Sequence, residues 1–240
     1  MKGIILAGGG GSRLSPLTKV TSKQLLPIYN KPMVFYPLQT LLKAGIKDIL
    51  FIVAPDHAGD FLKLLGSGKE FGARFTYEIQ DKPEGLAQAF IIGESFIGRD
   101  SVCMILGDNI FSDDFSGAIK KFKRGGHIFA KKVSDPQRFG VVKLDKTGKA
   151  TEIQEKPKKF LSNYAITGLY LYDNRVVQIA KSVKPSLRGE LEITDLHNWY
   201  LSHKELKADI VKGDWVDAGT FESLFKAQEI ARKQEFRHKK

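Results

Sequence analysis

The sequence predicts an α/β fold: a mixed, mainly parallel sheet with helices on both faces and a small antiparallel extension. Three observations support this prediction. Strand-like and helix-like segments alternate through residues 1–130. Their strand-like segments are nearly continuous apolar runs, which is typical of strands that a parallel sheet buries on both faces. Beyond residue 130, two alternating segments flank a turn at residues 145–148, which indicates antiparallel pairing.

The first half is predicted to contain strands at residues 3–7, 48–54, 74–79, 102–106 and 127–133. Helices are expected between them, at residues 32–45, 58–65, 85–96 and 114–124. Pro32 suits the first position of its helix, whereas Pro37 is expected to bend that helix or to mark a close contact. In this Rossmann-like order, ligands lie beyond the carboxyl ends of the strands. The loops after the first, third and fourth strands should therefore line one crevice.

The second half is predicted to add strands at residues 139–144, 150–154, 164–172 and 206–211, and helices at residues 174–181 and 190–203. An extended segment at residues 215–219 precedes a last helix, which starts near Phe221 and runs into a basic tail. No linker-like segment or internal repeat interrupts this order. Residues 1–240 are therefore predicted to form one domain.

The composition is that of a soluble globular protein, with 42% hydrophobic and 27% charged residues. No apolar run approaches the roughly 20 residues that span a bilayer, so no membrane partner is expected. The N-terminus lacks a leader-like pattern. Cys103 is the only cysteine and lies in an apolar run, so an intrachain disulfide is excluded. A cytoplasmic location is expected.

The net charge of +11 suits an anionic partner, such as a nucleotide, a sugar phosphate or a nucleic acid. The densest basic stretches, residues 120–124 and 237–240, lack the interleaved aromatic side chains of a base-stacking surface. We interpret them as a solvated face and a frayed end, and expect no nucleic-acid partner. The histidines show no metal-ligand spacing; they are His57, His127, His197, His203 and His238.

Four consecutive glycines, residues 8–11, directly follow the first predicted strand. Bare N–H groups in such a turn can bind an anion, and the guanidinium of Arg13 is suited to phosphate. The loop therefore predicts a phosphate-binding site, with a flexible surface turn as the alternative. Its spacing fits neither G-x-G-x-x-G nor G-x-x-x-x-G-K-[ST], which disfavours a dinucleotide-dependent oxidoreductase and a P-loop protein.

Seven segments together resemble, in the right order, the sugar-1-phosphate nucleotidylyltransferase family. They are residues 8–18, 22–27, 81–89, 106–109, 155–157, 190–195 and 215–219. The resemblance covers nearly the whole chain. It implies a Mg²⁺-dependent reaction of a nucleoside triphosphate with a sugar 1-phosphate, which yields a nucleotide sugar and pyrophosphate. Residues of about 1–130 would form the nucleotide-binding half, and residues of about 131–240 the half that binds the sugar phosphate.

Within this family, the sequence is most similar to members that combine dTTP with glucose 1-phosphate to give dTDP-glucose. UTP stays open as the nucleotide, because uracil and thymine share one hydrogen-bonding edge and a methyl group contributes only about 1 kcal/mol to discrimination. A nucleotide-sugar-binding protein without catalytic activity is the alternative from another functional class. The paired Asp108 and Asp217 argue against it.

The resemblance also implies roles for individual residues. Arg13, Lys23 and Lys156 would be catalytic. The nucleotide would contact Gly8, Gly11, Ser12, Arg13, Gln24, Gln80, Pro83, Gly85 and Asp108. The sugar phosphate would contact Asn109, Gly140, Glu155, Lys156, Ile166, Tyr170 and Arg188. Asp108 and Asp217 would hold Mg²⁺, which prefers one or two carboxylates together with substrate oxygens.

Taken singly, several of these residues have ordinary structural explanations. Each aspartate could be a cap or turn residue, Tyr170 a packed strand residue, and Arg188 part of a turn. Because two anions must meet, the site is expected to be strongly cationic. Phe139 stands where family members often carry tyrosine, which leaves the sugar specificity open. Family members also continue further after the last helix, so a homo-oligomer and a feedback site stay open.

Overall fold

The computed structural model describes residues 1–237, and only the backbone of residues 236 and 237. The strands are β1 (Lys2–Ala7), β2 (Pro27–Ile28), β3 (Lys31–Pro32), β4 (Asp48–Val53), β5 (Arg74–Ile79), β6 (Val102–Leu106), β7 (Asn109–Phe111), β8 (Gly126–Lys132), β9 (Gly140–Leu144), β10 (Ala150–Glu155), β11 (Tyr164–Tyr172), β12 (Leu206–Ile210) and β13 (Trp215–Asp217). The helices are α1 (Phe35–Lys43), α2 (Ala58–Leu65), α3 (Gln88–Ile92), α4 (Glu94–Ile97), α5 (Ser116–Lys121), α6 (Val176–Ser182), α7 (Ile193–Ser202) and α8 (Phe221–Arg237). Residues 238–240 of the predicted basic tail, which include His238, lie outside the described residues.

The main sheet joins a parallel half to an antiparallel extension. β1 lies between β4 and β6 and is parallel to both, and β5 extends this arrangement beyond β4. β11 pairs antiparallel with β6 on one side and with β8 on the other, and β12 lies parallel to β8. The β9–β10 hairpin joins the start of β11. The predicted α/β fold is confirmed.

Helices cover both faces of this sheet because successive residues of each strand face opposite sides. Ile4 packs in one apolar layer with Phe90 of α3 and Leu196 of α7. Its neighbour Ile5 packs in the opposite layer, which contains Leu38 of α1. No helix within residues 1–237 has both the length and the apolar composition that a membrane span requires.

The first helix begins later than predicted. Pro32 is not its first residue: it lies in β3, opposite Pro27 of β2, and α1 starts at Phe35. Pro37 is therefore the third helical residue. Backbone N–H groups in the first turn have no intrahelical partner, so this proline removes no hydrogen bond. Pro37 is buried, in line with the predicted close contact.

Other helices are shorter than the sequence predicted. The segment 85–96 forms two short helices that meet at Gly93, where a Cβ atom would lie 3.2 Å from the side chains of Ile4 and Leu50. The predicted helix 114–124 is limited to α5, because Asp114 accepts the backbone N–H of Ser116 and so begins the helix there. The helices predicted from residues 174 and 190 begin at residues 176 and 193.

The sequence missed a small antiparallel ladder between β7 and β13. It places Asn109 opposite Asp217, and the backbone N–H of Ala218 donates to the carbonyl of Asp108 over 2.9 Å. Helix α8 packs on this ladder through an apolar cluster that includes Ile110 and Ala227. Two segments that are far apart in the chain are thereby joined directly behind the carboxyl end of β6.

Candidate active site

Two adjoining cavities lie at the carboxyl ends of β1 and β6, as predicted for a crevice of this fold. The larger cavity has a volume of about 520 Å³ and the smaller one of about 200 Å³. They share wall residues, which are Lys23, Leu86, Leu106, Asp108 and Glu190. A molecule in one cavity would therefore lie next to a molecule in the other.

Most of the predicted site residues line these cavities. The smaller cavity contains Lys23, Gln24, Gln80, Pro83, Gly85 and Asp108. The larger cavity contains Arg13, Lys23, Asp108, Asn109, Gly140, Glu155, Lys156, Ile166, Tyr170, Arg188 and Asp217. Gly8, Gly11 and Ser12 line neither cavity.

The structural requirement for glycine differs among residues 8–11 of the glycine loop. A Cβ atom at Gly8 would lie 2.1 Å from Oε1 of the buried Gln80. The backbone at the end of β1 can therefore pack this closely against Gln80 only when residue 8 is glycine. Gly11 has a φ of +62°, which favours glycine. Gly9 lines the smaller cavity, whereas a Cβ atom at Gly10 would meet nothing within 4 Å. Two glycines thus shape the loop, and a third opens it to the cavity.

Hydrogen bonds hold the two glutamines of the smaller cavity in place. The Gln80 amide donates to Gln88 Oε1 over 2.6 Å, and Gln88 in turn donates to Glu84 over 2.8 Å. Gln24 accepts a hydrogen bond of 2.6 Å from the Ser22 hydroxyl. Both Gln24 and Gln80 are buried. The cavity wall is therefore built from polar groups whose orientation is already set.

Gly85 ties the walls of the two cavities together. It has a φ of +111°, and a Cβ atom there would lie 2.4 Å from the carbonyl oxygen of Leu191. Two backbone hydrogen bonds flank this contact, from Leu191 to Glu84 over 2.7 Å and from Ala87 to Leu191 over 3.1 Å. The loop after β5 is thereby joined to the segment that leads into α7.

Lys23 and Asp108 form a buried ion pair at the junction of the cavities. Burial disfavours the Lys23 ammonium, but the neighbouring carboxylate outweighs burial and raises the pKa of Lys23. Burial also opposes the ionisation of Asp108, yet Lys23 and the Asn109 amide, which donates over 3.0 Å, hold the pKa of Asp108 below its usual value. Both groups are therefore charged at neutral pH.

Asp217 has, among the described residues, no ion pair or hydrogen bond comparable to those that keep Asp108 ionised. Burial, and then the negative charge of Asp108, raise the pKa of Asp217 to about 6. Its Oδ1 atom is buried and has no hydrogen-bond partner in the described part of the chain. A Cβ atom at Gly219 would lie 2.8 Å from this Oδ1 and 2.8 Å from the Arg13 guanidinium, so glycine leaves room between them. The orphaned oxygen and its acidic neighbour fit a cation.

This acidic pair fits a divalent ion whose other ligands come from phosphate. Among residues 1–237, no cluster of three or more histidine, cysteine, aspartate or glutamate side chains could hold a metal. Mg²⁺ needs only one or two carboxylates when substrate oxygens and water complete its six ligands. Asp108 and Asp217 meet that requirement.

Asn109 is used mainly to hold the site together. Its Oδ1 atom accepts the backbone N–H of Gly168 over 2.9 Å and the indole N–H of Trp215 over 2.7 Å. Its amide nitrogen donates to Asp108. These bonds join β7, β11 and β13, and they leave one amide hydrogen for a ligand.

Small and buried residues shape the far wall of the larger cavity. A Cβ atom at Gly140 would lie 2.8 Å from the Thr194 side chain and 3.2 Å from Glu155 Oε2. Burial, and then the charge of Glu192, raise the pKa of Glu155. Tyr170 is 3% exposed, and burial raises the pKa of its hydroxyl. The wall thus presents a protonatable carboxyl and a neutral phenol.

The cations of the larger cavity differ in their availability. Arg188 donates two 2.8 Å hydrogen bonds to the Glu192 carboxylate and lies 3.4 Å from Glu155. The backbone of Lys156 has a φ of +40°, and its N–H donates to the carbonyl of Phe139 over 3.0 Å. The side chains of Lys156 and Arg13 make no hydrogen bond or ion pair with any described residue. An entering anion would therefore find Arg13 and Lys156 free, but it would have to compete with carboxylates for Arg188.

The larger cavity is not strongly cationic, so that expectation is wrong. Its cationic side chains are Arg13, Lys23, Arg138, Lys156 and Arg188, and its carboxylates are Asp108, Glu155, Glu190, Glu192 and Asp217. The five carboxylates offset the charge of the five cationic side chains. A phosphate-rich ligand would therefore need a further cation.

Several lining residues are not among the site residues predicted from the sequence. They are Leu86, Leu106, Arg138, Phe139, Gly168, Glu190, Glu192, Ile193, Thr194, His197 and Trp215. The segments 81–89, 106–109, 190–195 and 215–219 carried the family resemblance, and they contain seven of these residues. Arg138, which pairs with Asp135 over 2.8 Å, had no such signal, and neither had His197 in the middle of α7.

Comparisons with known proteins agree with this arrangement. A family profile described as nucleotidyl transferase matches residues 2–234. A Neisseria meningitidis protein named glucose-1-phosphate thymidylyltransferase is 52% identical over 233 residues, which cover 95% of this chain and 81% of the relative. A Mycolicibacterium smegmatis protein of the same name is 51% identical over 242 residues, with coverages of 99% and 84%.

Solved structures share the fold. A Bacillus anthracis crystal structure in complex with sucrose, assigned to the same enzyme, superposes with a TM-score of 0.92 at 50% identity and covers 97% of this chain and 95% of that chain. A UDP-glucose pyrophosphorylase structure complexed with UDP-glucose has a TM-score of 0.85 at 23% identity, with coverages of 97% and 98%. The second likeness extends to the fold alone.

Proposed function

This chain belongs to the nucleotidyl transferase family, and we propose that it transfers a thymidylyl group from dTTP to glucose 1-phosphate. The products are dTDP-glucose and pyrophosphate. Relatives that are about half identical over most of both chains carry the name of this activity. The main structural support for this proposal is the pair of adjoining cavities, with Lys23 and Asp108 in their common wall.

The smaller cavity is the proposed site of the thymidine nucleotide. Gln80 and Gln24 present fixed amide groups to the base, while Gly85 and Pro83 shape the wall. Gly8, Gly11 and Ser12 do not line the cavity, so their proposed part is to hold the loop that presents Gly9 and Arg13 to the triphosphate. Hydrogen bonds to the edge of the base would give specificity with little side-chain rearrangement.

The larger cavity is the proposed site of glucose 1-phosphate. The free ammonium of Lys156 is suited to its phosphate. Glu155 and the small space at Gly140 would receive sugar hydroxyls, and Tyr170 with Ile166 would pack against the ring. Asn109 contributes its remaining amide hydrogen, and Arg188 mainly orders the acidic segment that closes this wall.

Asp108 and Asp217 are the residues that would hold Mg²⁺. When bound, the ion would offset phosphate charge and polarise a phosphoryl oxygen. The equal numbers of cationic and anionic side chains in the larger cavity support this need, because the protein alone cannot neutralise two phosphorylated substrates.

Transfer requires that a phosphate oxygen of the sugar phosphate attacks the α-phosphorus of dTTP as the bond to pyrophosphate breaks. Such reactions depend on positioning and on charge stabilisation, without a covalent intermediate on the protein. Lys156 positions the attacking phosphate. Arg13 and Lys23 stabilise the charge that builds up on the departing pyrophosphate. The buried setting of Lys23 strengthens this effect, since charges interact more strongly away from water.

A panel of substrate pairs tests the proposal. Purified protein is incubated with Mg²⁺, with dTTP or UTP, and with glucose, galactose or mannose 1-phosphate, and the release of pyrophosphate is followed. We expect the highest kcat/KM with dTTP and glucose 1-phosphate, and no release without a sugar phosphate. Preference for UTP would change the nucleotide assignment. Binding of nucleotide without release from any pair would contradict catalysis.

A further inference from the structure

We infer that His197 recognises the sugar, and that its imidazole Nε2–H donates a hydrogen bond to a hydroxyl group of the sugar phosphate in the larger cavity. The inference rests on the proposed function, to which it adds a specificity determinant. It starts from a buried polar atom that the fold leaves without a partner.

Two buried side-chain polar atoms lack a hydrogen-bond partner within residues 1–235, whose side chains the structure describes. They are Oδ1 of Asp217 and Nε2 of His197, and both residues line the larger cavity. Buried polar groups without partners are rare in folded proteins, because their loss of water is not compensated. An orphaned atom in the wall of a binding site is compensated when the ligand supplies the missing partner. Asp217 fits a cation in this way, and His197 fits a polar group of the sugar.

The partner of the other ring nitrogen determines what Nε2 can do. His197 Nδ1 lies 2.7 Å from the Tyr172 hydroxyl. If Tyr172 donates to Nδ1, the tautomer is Nε2–H, and one donor remains unpaired. If Nδ1–H donates instead, both the tyrosine O–H and the Nε2 lone pair are left without partners in a buried site. The first arrangement leaves fewer groups unsatisfied, so Nε2 carries the hydrogen.

The surroundings of His197 favour a hydroxyl over a phosphate. Its side chain is fully buried, and burial lowers its pKa to about 3, so the ring is neutral at physiological pH. Its ring lies 5.3 Å from that of Tyr170 and 6.0 Å from that of Tyr172. A neutral N–H donor among aromatic rings suits an uncharged oxygen, while the free cations of the cavity are left for phosphate.

Two substitutions separate the ring nitrogens. His197→Asn keeps an acceptor near the position of Nδ1 for Tyr172, but it is too short to replace Nε2. His197→Gln places an amide N–H near Nε2. We expect His197→Asn to raise KM for glucose 1-phosphate roughly five- to tenfold, with KM for dTTP unchanged, since that is the range for one neutral hydrogen bond. His197→Gln should recover part of this loss.

Deoxy substrates identify the hydroxyl. Wild-type protein should lose roughly five- to tenfold in kcat/KM with one of the 2-, 3-, 4- and 6-deoxy analogues of glucose 1-phosphate, by the same hydrogen-bond range. His197→Asn should show no further loss with that analogue. Equal losses with all four analogues in the wild type and the variant would overturn the inference, as would a parallel rise in both KM values.

A spectroscopic measurement is independent of turnover. In ¹⁵N-labelled protein, the ring signals of His197, identified by their loss in His197→Gln, should show the Nε2–H tautomer. They should shift with glucose 1-phosphate but not with inorganic phosphate. An Nδ1–H tautomer, or no shift, would overturn the assignment. If wild-type protein releases no pyrophosphate while this shift is observed, the proposed reaction fails and the sugar contact stands.

Discussion

The two cavities of this protein are built in different ways. The smaller cavity lies at the ends of parallel strands and is shaped by the backbone. Gly8 packs closely against Gln80, Gly85 packs closely against Leu191, and Gly9 lines the cavity. The larger cavity is shaped by side chains that long-range pairing brings together, and equal numbers of its charged groups are acidic and basic. The first therefore needs space at defined backbone positions, whereas the second needs particular charges and hydrogen-bonding groups.

The largest loss of activity is expected at the junction of the two cavities, where the charges of Asp108 and Asp217 would hold the metal ion. Asp217→Asn should lower kcat at least about 100-fold, because one of two carboxylates for the metal is lost. Asp214→Asn, an exposed aspartate three positions earlier, is the matched control and should keep wild-type activity. Near-normal turnover of Asp217→Asn would remove this residue from the proposed metal site.

The same substitution should stabilise the fold at high pH. The pKa of Asp217 is about 6 in the folded protein, above its value in the unfolded chain, so stability falls as the pH rises through that window. The asparagine variant avoids this loss and should gain ~1–2 kcal/mol in the free energy of unfolding at pH 8, but not at pH 4. Urea denaturation at both pH values measures the difference.

In the larger cavity, Lys156→Ala tests whether a free cation holds the sugar phosphate. We expect KM for glucose 1-phosphate to rise roughly 10- to 50-fold, the range for a charge-assisted hydrogen bond, with a smaller change for dTTP. Lys158→Ala changes an exposed lysine on the same loop and serves as the control. Equal changes in both KM values would mean that the role of Lys156 is misassigned.

In the smaller cavity, Gly8→Ala tests whether backbone space is what matters. The new Cβ atom would collide with Gln80, so KM for dTTP should rise roughly tenfold, as when one or two hydrogen bonds to the base are lost. Gly10→Ala meets nothing within 4 Å and should be silent. Identical kinetics for these two variants would contradict a cavity shaped by close backbone contact.

The smallest effect is expected for Arg188→Ala. This side chain already pairs with Glu192, so KM for glucose 1-phosphate should rise only about two- to threefold, which is within the range for an exposed charge pair. The double variant Arg188→Ala with Glu192→Gln should restore part of the loss, because it removes the carboxylate left without a partner. A rise as large as that of Lys156→Ala would show that Arg188 binds phosphate directly.

The two cavities also differ in how far the sequence predicts them. Buried strands and glycine loops are local signals, and β5, β6 and α2 have the predicted bounds. The ladder of β7 with β13 was missed because three-residue strands carry almost no periodicity. The neutralisation of Arg188 and the burial of His197 depend on packing between distant segments, which composition and spacing do not encode. Resemblance to a family supplied the candidate residues there, but not their charge balance.

The proposed transfer reaction can be observed directly by ³¹P NMR of the wild-type protein with dTTP, glucose 1-phosphate and Mg²⁺. Because the two substrates would occupy adjoining cavities and react with each other, we expect both to be consumed at the same rate. Their signals should be replaced by equal amounts of dTDP-glucose and pyrophosphate. The Asp217→Asn spectrum should remain that of the substrates over the same period. Hydrolysis of dTTP that does not consume glucose 1-phosphate, or an unchanged wild-type spectrum, would show that the protein does not catalyse this transfer.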